Sequence, residues 1–113
     1  MLVKKDLTDK RKSWIIIFES LKKDGRDIQT WSKRDRGRCF FHANTFGEEI
    51  IVARSKELPS CKLDSYRPIS YQQFKKITKI FNQYVSGEIN REDMRYFFGW
   101  NTSYIISLIV RLL

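Results

Sequence analysis

The stretch that most restricts the fold is residues 69–87, where a helix is written with both of its ends. Ser70 can cap the N-terminus, and Gln73 stands three residues later to return the bond, which makes a capping box. Ile69 and Phe74 occupy the two ends of a hydrophobic staple across that cap. Phe74, Ile77, Phe81 and Tyr84 then recur at helical spacing as an apolar stripe, and Gly87 supplies the stop. A segment punctuated this way has to lay one face on a core. The same signals follow at once. Asn90 caps a second, short helix, with Ile89 and Met94 as its staple. Glu92 and Asp93 sit in its first turn, where the helix dipole favours acid. Gly99 closes it, and Asn101 or Thr102 starts a third helix that continues to Leu113.

The first half reads differently. Trp14, Ile17, Phe18 and Leu21 follow helical spacing, and Gly25 stands where a C-terminal cap would be. A strand competes there, because Ile15, Ile16 and Ile17 are β-branched and Asp24-Gly25 is a hairpin signal. The helix is the preferred reading. Residues 28–31, 39–46 and 50–53 are strand-like, and a turn at Gly47 joins the last two as a hairpin. Pro59 and Pro68 make residues 55–68 an extended connection, with a short edge strand near 61–63. The expected fold is therefore α+β: an N-terminal helix, a small antiparallel sheet of three to four strands, then three C-terminal helices. Residues 1–113 read as a single domain, with 1–12 fraying.

Of the 113 residues, 42% are hydrophobic and 14% aromatic, enough to bury a core without staples. The net charge is +9, from 22 Lys+Arg against 13 Asp+Glu, and the excess is spread over both halves of the chain. Such a field attracts polyanions, although solubility alone would also account for it. The densest basic run is Lys33, Arg34, Arg36 and Arg38, flanked by Trp31 and by Phe40 and Phe41. Guanidinium forks there can hold phosphates in pairs while an aromatic ring stacks on a base. Lys75, Lys76 and Lys79 add a basic face to the long helix. DNA or RNA is the expected partner.

Residues 91–108 carry a second pattern. Met94 and Phe98 fall on the inner face of one helix, Gly99 stands at a turn with Trp100 after it, and Ile105 and Leu108 fall on the inner face of the next. This spacing resembles a helix-turn-helix, and the resemblance implies DNA contact by the second helix. Two features depart from that motif. Arg95 stands where the motif holds a small residue, and the second helix is apolar nearly all round. It offers only Asn101, Thr102, Ser103, Ser107 and Arg111 to a groove. A helix without a polar face packs in a core or an oligomer interface. Tyr104, Ile106, Ile109, Val110 and Leu113 are accordingly expected at a homodimer interface.

Cys39 and Cys61 are too few for a disulfide framework, and no secretory signal or membrane-length apolar run is present, so a cytoplasmic location with no membrane partner is expected. Cys39-x-x-His42 with Cys61-x-x-Asp64 has ligand-like spacing, but residues three apart on a strand point to opposite faces. A buried Cys and a half-exposed His are the cheaper reading, and neither metal nor cofactor is expected. Templates for catalysis are missing: there is one His and no Gly-rich phosphate loop. Glu48 and Glu49 lack the lysine spacing of a metal-dependent nuclease. The leading reading is a small basic module that contacts nucleic acid without catalysis. Two others stay open: an interaction or regulatory module that oligomerises through the apolar last helix, and a small basic ribonuclease-type toxin using His42, Arg36 and Arg38.

Overall fold

A computed structural model of the chain describes residues 5–31, 39–90, 92–93 and 101–113. Among them the order is helix α1 (Lys10–Leu21), strands β1 (Arg26–Gln29), β2 (Phe40–Phe46), β3 (Glu49–Arg54) and β4 (Arg67–Ile69), then helices α2 (Tyr71–Thr78), α3 (Phe81–Ser86) and α4 (Thr102–Leu112). The α+β class is as the sequence implies, with four antiparallel strands in the order β1-β2-β3-β4.

Alternation builds the sheet. Phe41 and Ala43 of β2, Ile50 and Val52 of β3, Ile28 of β1 and Ile69 of β4 are all buried on one face. Register pairs Ile28 with Phe41, Ala43 with Val52 and Ile50 with Ile69, so these side chains form one apolar surface. Against it lie Trp14, Ile17 and Leu21 of α1, Phe74 and Ile77 of α2, Phe81 of α3, and Ile105, Ile106, Leu108 and Ile109 of α4. Asp27, His42 and Ala53 form a row on the opposite face.

Helix α1 begins earlier than its apolar spacing suggests, because Asp9 caps it by accepting from the Lys12 N–H at 3.0 Å. Residues 5–9 lead into it with contacts of their own: Leu7 is buried, and the Lys5 backbone exchanges hydrogen bonds with the Asn82 side chain at 3.0 and 2.8 Å. Gly25 is not the cap of α1; that helix ends at Leu21 with Lys22 as its C-cap, and Lys23 takes a positive φ of 79°. The glycine is instead required by close approach. A Cβ on it would lie 2.5 Å from the Ala43 carbonyl oxygen and 2.7 Å from His42 Nε2, at a φ of 72°.

The capping box at Ser70 and Gln73 forms as expected, with bonds of 3.2 and 3.4 Å. The single helix expected over 70–87 is two. It breaks after Thr78, whose hydroxyl turns back to the Lys75 carbonyl at 2.7 Å, while the Ile80 N–H reaches only to Ile77. Asn90 and Asp93 bond reciprocally at 2.8 and 3.2 Å, the start signal read for the next helix. The short edge strand lies at Arg67–Ile69 and not at 61–63, where Ser60 makes an isolated parallel bridge to Phe40. Pro68 is tolerated on this edge because no further strand needs its missing N–H.

Candidate nucleic-acid interface

The basic residues Lys33, Arg34, Arg36 and Arg38 lie outside the described residues, as does the first half of the helix-turn-helix-like pattern, including Arg95, Gly99 and Trp100. The residues on either side of the basic run are described, and they are tied down from several directions. On the near side, the Trp31 N–H donates to Ser107 Oγ of α4 at 3.0 Å, and the Trp31 ring packs edge-on against Tyr84 of α3 at 6.2 Å. On the far side, Cys39 is joined to Cys61 by a disulfide, with their Cα atoms 5.1 Å apart. The two sides also meet each other. Thr30 N–H donates to the Cys39 carbonyl at 2.8 Å, and Cys39 N–H donates to Thr30 Oγ1 at 3.1 Å.

Arg111 completes this base. It is the lone cation of α4, and its guanidinium donates to the Gln29 carbonyl at 3.1 Å and the Thr30 carbonyl at 3.3 Å. Ser107 is fully buried, and while accepting from Trp31 it donates to the Ser103 carbonyl at 2.8 Å. The last helix is thus tied to the residues that lead into the basic segment. Its apolar residues are spent inside the chain: Ile106 and Ile109, expected at a dimer interface, are fully buried in the core. Of the other three, Tyr104 packs its ring on Phe41 at 5.0 Å, and burial raises its phenol above the ordinary value against the opposing pull of Arg67. Val110 and Leu113 are partly buried against the same cluster. Lys76 and Lys79 are exposed and Lys75 is half-buried, so α2 presents ammonium groups to solvent.

The disulfide corrects the reading of Cys39 and Cys61 as unbridged residues: both are consumed by it, and no group of three or more metal-ligating side chains occurs among the described residues. Bridges of this kind persist in oxidising compartments, which removes the support that thiols gave to a cytoplasmic location. No helix among the described residues is long and apolar enough to cross a membrane.

Next to this base, on the opposite face of the sheet, Asp27 Oδ1 accepts from the Ser55 hydroxyl at 2.7 Å and faces His42 Nδ1 at 3.1 Å. His42 Nε2 faces the Asp24 carbonyl at 3.1 Å. Both partners of the ring, the Asp27 carboxylate and the Asp24 carbonyl, are hydrogen-bond acceptors. The Ser55 hydrogen bond, with smaller help from His42 and Lys56, holds the Asp27 carboxyl below its usual range against the penalty of burial. The order is Ser–Asp–His, with the carboxylate in the middle. In a Ser–His–Asp triad the imidazole stands between the other two groups, so this network is a different arrangement, one that ties β1 to β2 and to the end of β3.

No family model, curated protein or solved structure matches the chain.

The sequence held signals for part of this arrangement. A lone arginine on an otherwise apolar helix, and a pair of cysteines bracketing the hairpin, both marked residues with long-range partners. Thr30 and Ser107 carried no signal of their own.

Proposed function

We propose that this chain binds nucleic acid without catalysis, through the basic segment 33–38 and with help from Lys75, Lys76 and Lys79. The observation that carries the reading is the braced base: Ser107, Arg111, Thr30 and the Cys39–Cys61 bridge hold the residues on either side of the basic run. Fixing the ends of a binding segment lowers the ordering cost of its complex, so the segment carrying Lys33, Arg34, Arg36 and Arg38 loses less entropy on meeting a polyanion than a free tail would. A net charge of +9 adds long-range attraction.

The test is titration of random-sequence duplex and single-stranded DNA across a range of salt. Affinity for duplex should fall with salt at a log–log slope of about −3 to −4 if all four cations meet phosphates. Changing Lys33, Arg34, Arg36 and Arg38 together to Glu should abolish binding and leave the thermal unfolding profile in place. Absence of binding at low salt, or affinity indifferent to salt, would overturn the reading.

A further inference from the structure

The opposite end of β2 opens on a cleft of about 480 Å³, a size that suits a small organic molecule. Its wall on α1 runs from Arg11 through Trp14, Ile15 and Phe18 to Glu19. Tyr71 closes it from the start of α2, and Gly47, Glu48 and Glu49 form its lip at the β2–β3 turn. The charge here runs against that of the chain: three carboxylates and one guanidinium line the cleft of a +9 protein.

The pairing of these charges matters more than their number. Arg11 lies over the Tyr71 ring at 4.8 Å, which fixes its charge at one end of the wall, and Glu19 is paired to Lys22 at 2.9 Å. Glu48 and Glu49 make no ion pair among the described residues. Beside them Ile15 is 48% exposed, an apolar surface without cover. Trp14 is 4% exposed, and its indole N–H has no hydrogen-bond acceptor among the described residues. Buried indole N–H groups ordinarily find an acceptor.

We infer that this cleft binds a small organic ammonium carried on an aromatic body, its charge set against Glu48 and Glu49 and its body against Ile15, Phe18 and Trp14. An oxygen on such a guest would supply the acceptor that Trp14 lacks. The positive field of segment 33–38 does not forbid the cation. The seven residues of β2 separate the two ends by about 20 Å, against a screening length of about 8 Å in physiological salt. This site is independent of the nucleic-acid reading, and either can fail alone.

The experiment uses three probes with one body: tyramine, 4-ethylphenol and 4-hydroxyphenylacetate, which are cationic, neutral and anionic. Each is titrated into the isotopically labelled protein while backbone amide and indole N–H resonances are followed. Tyramine should shift the Trp14 indole and the amides of residues 47–49 and 70–72 saturably, and bind at least about tenfold tighter than 4-ethylphenol. A double variant, Glu48→Gln with Glu49→Gln, should lose that preference while keeping the remaining spectrum. Equal binding of the neutral or anionic probe, an unchanged preference in the double variant, or no response of these resonances to tyramine would each overturn the inference.

Discussion

At its first residue β2 is held by a disulfide one position away, by a parallel bridge to Ser60 and by the doubly bonded Thr30–Cys39 pair. At its last residue the same strand turns back in two residues, with Gly47 at a φ of 60° and Phe46 76% exposed beside it. Charge divides the same way. The held end leads into the most basic run of the chain, whereas the turning end carries Glu48 and Glu49. Local geometry suffices for the turn, since a glycine at positive φ suits the twist of a two-residue hairpin. The basic end has no such local solution. Two strands that part into a longer connection need ties from elsewhere, and here they come from α3, α4 and the segment around Cys61. Ends that differ this much in bracing should differ in how they respond to mutation.

The largest contrast should come from the bridge. Replacing Cys39 and Cys61 together by Ser is expected to lower stability by about 2–4 kcal/mol in urea denaturation, because the link closes a separation of 22 residues. A loss no larger than that from changes at the turn would erase the distinction between the two ends. Ser107→Ala should come next, at about 1–3 kcal/mol, since it leaves the Trp31 N–H without its acceptor in a buried setting. Faster amide exchange at Trp31 would locate the damage; unchanged exchange there would count against the brace. At the other end, Gly47→Ala is expected to cost about 1 kcal/mol, from the positive φ alone, because open space surrounds the new methyl group. Its chemical-shift changes should stay within the hairpin.

The smallest effect concerns acid. The Asp27 carboxyl is held below its ordinary 3.8, so its ionised form stabilises the fold above that pH, and this contribution is lost as pH falls through the lowered folded value. Asp27→Asn should therefore flatten the acid side of the stability profile, with little change in its slope near neutrality. An acid limb as steep as that of the parent would mean that Asp27 is not what titrates there.

Much of the helical half was legible because its information is local. A cap and its partner lie three residues apart, so Ser70 with Gln73 and Asn90 with Asp93 could be recognised without knowing what they pack against. The hairpin at Gly47 was legible for the same reason. The break after Thr78 was not, since the apolar stripe from Phe74 to Tyr84 continues across it, and the backbone yields there to a hydroxyl that competes for a helical carbonyl. Gly25 read as a cap because a glycine after a helix usually is one; its actual constraint is the Ala43 carbonyl on a neighbouring strand.

The sequence by itself determined the α+β class, the hairpin at Gly47, the caps at Ser70 and Asn90 and the place where the cations concentrate. Tertiary structure alone decided what the last helix is for. Its apolar surround fits a core and an oligomer interface equally well, and only the closure of the fold buries Ile106 and Ile109 within one chain. Arg111 lies 82 residues from Gln29, and Ser107 lies 76 from Trp31. Bonds over such separations leave no periodicity in a sequence, because they exist only once the apolar faces have brought distant backbone groups into reach. The basic segment was visible from the start, whereas the brace around its ends came with the fold.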